Sequence, residues 1–249
     1  MLRITELKLP LDHTDNDLQS AVLYRLQIDL DEFIAYHIFR QNHDARKKSD
    51  IQMVYTVDVE VKNEAKLLAK FADDIHINKT PDTEYKFVTR AKPENKIRPI
   101  IIGAGPCGLL ATLVLAQMGF KPIMLERGKS VRERTKDTFG LWRKREFNPE
   151  SNVQFGEGGA GTFSDGKLYT QIKDPNHYGR KVLQEFVKAG APPEILYLGK
   201  PHIGTFRLVS MVEQIRAEIE SLGGEIRFES RVDELLLENN HVQGVRLAN

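Results

Sequence analysis

Apolar and polar positions change rhythm several times along the chain, and each change predicts an element. LRITELKL places Leu2, Ile4, Leu7 and Leu9 in an imperfect alternation, the pattern of a first strand. DNDLQSAVLYRLQI follows with Leu18, Val22 and Leu23 at helical spacing, and Asp15 or Asp17 is placed to cap it. FIAYHIFRQ and IQMVYTVDVEV read as two strands joined across the polar NHDARKKSD. NEAKLLAKFADDI is helical in pattern, and EYKFVTR is expected to be the last strand of this region. The order β-α-β-β-α-β is that of a small α+β, ferredoxin-like split βαβ domain.

AKPENKIRP, with two prolines and four charges, reads as a linker. It divides the chain into a first domain over residues 1–92 and a second over 98–249. In the second, RPIIIGAG is a short β-branched run, PCGLLATLVLAQMGF a helix stopped by Gly119, and KPIMLERG a further strand. GRKVLQEFVKAGAP and FRLVSMVEQIRAEIESLGG are amphipathic helices. Leu208, Met211, Val212, Ile215, Ile219 and Leu222 share one face of the latter, and Gly223 ends it. EIRFE, RVDELLLE and HVQGVRL are predicted strands, the last two joined at Asn239-Asn240 in a tight hairpin.

Composition narrows the function classes. The chain is 249 residues long, 41% hydrophobic and 29% charged, as a folded globular protein is. Thirty-six Lys and Arg against 35 Asp and Glu give no global pull toward nucleic acid or anionic membrane. Arg40, Arg46, Lys47 and Lys48 concentrate charge at the first hairpin. IQMVYTVDVEV lacks the glycine-aromatic signature of RNA-stacking sheets and carries Asp58 and Glu60, so a solvated hairpin is expected. One cysteine, Cys107, excludes an intrachain disulfide and any multi-cysteine metal site. MLRITELKLPLDH has no apolar core of a signal peptide, and GLLATLVLAQMGF, at 13 residues, is too short to span a bilayer. A cytoplasmic protein without a bound metal or membrane segment is expected.

The chemistry begins at IIIGAGPCG. Ile100 to Ile102 form a strand and a helix opens at Pro106, the context that a G-x-G-x-x-G run requires. Gly103 permits the turn, Gly105 lets a pyrophosphate approach the backbone, and Gly108 lets helix and strand pack closely. The amides and dipole of the helix start, around Ala104, Pro106 and Cys107, attract that charge. Glu126 lies 18 residues beyond Gly108 at the end of IMLE, where a carboxylate accepts ribose hydroxyls and repels a 2′-phosphate. The expected ligand is an adenosine diphosphate moiety.

IIIGAGPCGLLATLVLAQMGFKPIMLERG resembles the ADP-binding segment of FAD-dependent oxidoreductases of the glutathione-reductase type. With FGEGGAGTFSDGKL and KPHIGTFRL, it is similar to a group of bacterial FAD-dependent dehydrogenases of undefined substrate that also carry a small α+β extension. The resemblance covers essentially the whole chain, most specifically residues 98 to 170. It implies a three-layer Rossmann-like FAD/NAD(P)-binding fold, FAD at Gly103, Gly105, Gly108, Glu126 and Arg127, and NAD(P)H or a small-molecule substrate as the hydride partner. It implies a flavin-proximal role for Gly158, Gly159, Ala160 and Gly161, and an adenine contact from the backbone of Val232. Such proteins carry a later Gly-Asp motif that holds the ribitol. No Gly-Asp pair occurs in these 249 residues, so the fold is expected to be incomplete at its C-terminus and the chain part of a longer polypeptide.

The catalytic residue is not identified by pattern. Lys167 is placed to set a positive charge near the flavin edge, and Ser164 with Asp165 to hydrogen-bond the ring or a substrate, although Ser-Asp-Gly is also a common turn. Glu157 is a further candidate in the glycine run. His202 is a candidate acid or base, and Thr205 a helix cap. Cys107 has no second cysteine, which excludes disulfide exchange. Two rival classes remain: an NAD-binding Rossmann protein without flavin, and an RNA- or protein-interaction module with a structural or regulatory dinucleotide.

Overall fold

A computed structural model describes residues 1–170 and 172–248. They divide into two units, Met1–Glu84 with Pro193–Pro201, and Tyr85–Pro192 with His202–Asn249.

In the first unit, β1 (Leu2–Pro10), α1 (Asp15–Leu26), β2 (Phe33–Asp44), β3 (Gln52–Val61), α2 (Glu64–Lys70) and β4 (Ile77–Lys79) follow the predicted order. The strands pair antiparallel in the order β2-β3-β1-β4. Leu2, Ile4, Val57 and Val59 from one sheet face bury against Leu18, Val22 and Leu26 of α1. The cap of α1 is Thr14, one residue before Asp15 and three before Asp17, rather than either of those aspartates. Its hydroxyl accepts from the Asp17 amide while the Asp17 carboxylate accepts from the Thr14 amide. The last strand is also not EYKFVTR but Ile77–Lys79, three residues with one buried apolar side chain and therefore almost no pattern to read. Tyr85 and Phe87 of EYKFVTR instead flank the Lys181 ammonium, at 5.6 and 5.2 Å.

The Pro193–Pro201 segment extends this sheet. The Gln41 amide donates to the Tyr197 carbonyl at 2.7 Å and the Gly199 amide to the Gln41 carbonyl at 3.0 Å, pairing the segment to the β2 edge. At the hairpin, Arg46 pairs with Asp44 and Lys47 with Asp50.

The second unit contains β5 (Ile100–Ile102), α3 (Pro106–Gln117), β6 (Ile123–Leu125), α4 (Val131–Lys144), α5 (Tyr178–Lys188), α6 (Thr205–Ser221), β7 (Glu225–Arg227), β8 (Val232–Glu238) and β9 (His241–Leu247). Strands β5, β6 and β7 form a parallel sheet in that order, making this a mixed α/β unit. Asn239 and Asn240 both adopt positive φ and close the β8–β9 hairpin as expected. Helix α4 has no counterpart in the sequence reading, because its buried side chains are Val131, Arg134 and Thr138. Two polar residues on the inward face erase the helical stripe. Thr205 is the first residue of α6 rather than its cap; Gly204 holds the cap position, and the Thr205 hydroxyl donates to the Ser164 carbonyl at 2.9 Å. No helix among the described residues is long and apolar enough to cross a membrane.

Candidate functional site

The β5–α3 turn is built around a close backbone approach. A Cβ placed on Gly108 would lie 1.8 Å from the Gly103 carbonyl oxygen, so only glycine lets α3 start against this turn. By contrast, a Cβ on Gly103 or Gly105 would meet nothing within 4 Å. That free space belongs to a cleft of 600 Å³ lined by Gly103, Gly105, Glu126, Arg127, Arg231 and Val232, among others. No side chain among the described residues caps α3, which begins at Pro106 beside the cleft. The first amides of a helix lack intrahelical partners and carry the positive end of its dipole, so the cleft suits a pyrophosphate.

Glu126 is buried at 4% exposure beneath this cleft. Its Oε2 accepts from the Ala104 amide at 2.7 Å, and its Oε1 from the amides of Gly128 and Gly156 at 2.7 and 2.9 Å. A carboxylate oxygen accepts two hydrogen bonds, so Oε2 retains capacity for a ribose hydroxyl. The same side chain therefore ties the first glycine turn to the second glycine run. Arg127 and Arg231 lie at the cleft and share Glu150, at 2.9 and 2.8 Å. Val232, the first residue of β8, also lines the cleft.

The glycine run is an ordered loop held from behind. Arg134, fully buried on α4, donates to the carbonyls of Asn152, Val153, Gly156, Glu157 and Gly159 at 2.7 to 3.2 Å. Gly156 has φ of +121°, and a Cβ there would lie 2.6 Å from Arg134 Cδ, so glycine is required on both counts. Burial lowers the Arg134 pKa to about 10, which leaves it charged at neutral pH.

The amides of Gly156, Glu157, Gly158 and Gly159 donate to Glu126 Oε1 and to the carbonyls of Lys129, Ala104 and Gly156. Gly158 thus braces the first turn and Gly159 closes the run on itself, so both N–H groups are committed within the protein. Ala104, fully buried, is locked by its amide to Glu126 and its carbonyl to Gly158.

Glu157 is a positioning group rather than one that faces a cleft. It is fully buried; its Oε2 accepts from the Val131 amide at 2.7 Å, at the start of α4, and from Arg216 at 2.8 Å. Its Oε1 has no partner among the described residues. Burial holds the carboxyl above its usual range, against the Val131 amide and Arg216, which favour the charged form. The folded state consequently binds this proton more tightly than the unfolded chain. Stability from this group is full below the ordinary value of 4.5 and falls as pH rises through the raised pKa. Glu157→Gln, which keeps an acceptor for Val131, is expected to remove that decline. Thermal unfolding of both proteins between about pH 4 and 7 tests this, and parallel curves would contradict it.

A second recess, of 230 Å³, has walls that include Pro106, Leu110, Gly161, Phe186, Met211 and Val212, and His202 is not among its lining residues. Ser164 and Lys167 also line it. The Ser164 hydroxyl donates to the Gly161 carbonyl and accepts from the Gly166 amide, so it serves the turn. Lys167 is exposed and pairs with Asp165 at 2.9 Å, which raises the lysine pKa and lowers that of the aspartate. His202 is exposed and bridges Lys167 through the backbone. Cys107 is exposed at the start of α3. Among the described residues, no cluster of three or more His, Cys, Asp or Glu side chains is placed to hold a metal ion.

Sequence reasoning missed Arg134 and the buried role of Glu157. An arginine in a run such as VRERTKDTF carries no signal separating it from its exposed neighbours.

Residues 96–138 match the family described as an FAD binding domain, and residues 1–60 match a domain of unknown function, DUF8436. The first of these supports FAD binding by the second unit. An uncharacterized protein of Clostridium beijerinckii is 41% identical over 245 residues, covering 98% of this chain and 45% of the relative. The chain thus spans a little under half that protein's length. The crystal structure of Thermovibrio ammonificans THI4 aligns at 19% identity and a TM-score of 0.36, over 60% of this chain and 45% of the other.

Proposed function

We propose that this chain is the FAD-binding part of a flavin-dependent oxidoreductase, a ferredoxin-like unit joined to a Rossmann-type nucleotide unit, working in the cytoplasm. The observation that carries the reading is the cleft at the start of α3, open at Gly103 and Gly105 and floored by the buried Glu126. The FAD-binding match over residues 96–138 supports it.

In this reading Gly103 and Gly105 leave room for the pyrophosphate, and the amides of Cys107 and Gly108 meet its charge. Glu126 accepts a ribose hydroxyl, and the β8 backbone at Val232 borders the adenine. FAD, when bound, supplies hydride exchange between its N5 and a substrate carbon or NAD(P)H. The lining by Ser164, Lys167 and Gly161 makes the smaller, largely apolar recess the preferred place for the reacting end. Its apolar walls exclude water there. NAD shares the adenosine diphosphate half, so purified protein should be dialysed separately against FAD and NADH. Retained yellow colour with a flavin spectrum is the expected result; retention of NADH alone would favour a flavin-free Rossmann protein.

A further inference from the structure

Arg134 differs from the other buried charges of this unit in what it binds. Glu126 accepts amides, and Glu157 accepts an amide and Arg216. Arg134 hydrogen-bonds no carboxylate among the described residues; all its donors go to peptide carbonyls of residues 152–159. Two of the residues whose carbonyls it holds, Gly156 and Gly159, line the 600 Å³ cleft. A glycine run has no side chains to screen its backbone, so its carbonyl oxygens are the negative groups it presents to a neighbour. Beside a pyrophosphate they repel. Turned onto one guanidinium, they face away from the cleft, and the rest of the wall no longer opposes a dianion.

We infer that Arg134 is a positioning residue for the pyrophosphate, acting by withdrawing the glycine-run carbonyls from the wall of the nucleotide cleft. This rests on the reading that the cleft takes the adenosine diphosphate half of FAD. Its consequence is selective: the residue matters for phosphate-bearing ligands and not for the nucleoside alone. A purely structural clamp would affect both alike.

The test compares adenosine, ADP and FAD binding to the whole chain at constant ionic strength, in wild type, Arg134→Met and Arg134→Lys. Methionine is unbranched and apolar and has no donors. Lysine keeps the charge but, as a point donor, cannot reach all five carbonyls. The methionine variant is expected to weaken ADP and FAD by at least about tenfold while adenosine changes by less than about twofold, with lysine intermediate. Equal loss for all three ligands, or no loss for ADP and FAD, overturns the inference. If the methionine variant fails to fold, the lysine variant carries the same comparison. A wild-type chain that binds neither ADP nor FAD sinks the flavin reading and this inference with it. Binding by wild type and equal binding by a folded variant sinks only the role given to Arg134.

Discussion

Gly108→Ala is expected to destabilise the second unit by about 4 kcal/mol or more and to abolish nucleotide binding. The added methyl would sit 1.8 Å from the Gly103 carbonyl oxygen and 3.0 Å from its carbon. Both are backbone atoms, so no side chain can swing aside. Either α3 lifts from β5 or the turn opens, and each movement spoils the amide array facing the cleft. Gly105→Ala provides the contrast. Its Cβ meets no protein atom within 4 Å, so thermal stability should stay within about 1 kcal/mol of wild type. The methyl projects into the cleft's free space, so FAD affinity should still fall. Unfolding followed by circular dichroism, together with FAD titration, separates the two effects. Equal stability loss in both variants would contradict the assignment of Gly108 to packing and Gly105 to ligand.

In the first unit, removing Asp58 alone is expected to cost about 3–5 kcal/mol, whereas removing Asp58 and Arg3 together costs much less. The two residues face each other across β1 and β3, and Arg3 donates to both carboxylate oxygens at 2.7 and 2.8 Å. Their exposures are only 9% and 8%. The Thr80 hydroxyl also donates to Asp58, and the Phe39 ring lies 3.5 Å from the guanidinium carbon. Asp58→Ala strands a desolvated cation against that ring. Arg3→Met with Asp58→Leu replaces both charges with apolar volume, which commonly restores stability. Denaturant unfolding of the two single variants and the double variant decides. A double variant as unstable as the sum of the singles would mean that the pair contributes no coupling.

What the sequence made legible follows from which interactions leave periodic traces. The alternation of β1 and β3, and the turn at Asn239-Asn240, are local and survive in the structure. The dinucleotide turn was readable because its glycines serve contacts at fixed short spacing. Strand β4 was hidden because pairing with β1, not its own pattern, makes it a strand. Helix α4 was hidden because its inward face is occupied by Arg134 and Thr138. The flavin-proximal role that the resemblance implies for the glycine run says nothing of where its amides go. Those of Gly156 to Gly159 are spent on Glu126, Lys129, Ala104 and Gly156 itself, partners from 3 to 54 residues away in sequence, as the distances 156 to 126, 157 to 129, 158 to 104 and 159 to 156 give. Likewise, Pro193–Pro201 extends the first unit's sheet from more than a hundred residues downstream of Glu84.

The most direct test of the central claim uses the chain's single tryptophan, Trp142, whose ring lies 5.9 Å from Phe163 at the end of the glycine run. Titrating purified protein with FAD while recording Trp142 emission should give saturable quenching that excess ADP reverses, with the bound flavin's spectrum shifted from that of free FAD. A chain that folds normally yet shows no saturable quenching and no flavin retention, in this form or within a longer polypeptide, would contradict the account.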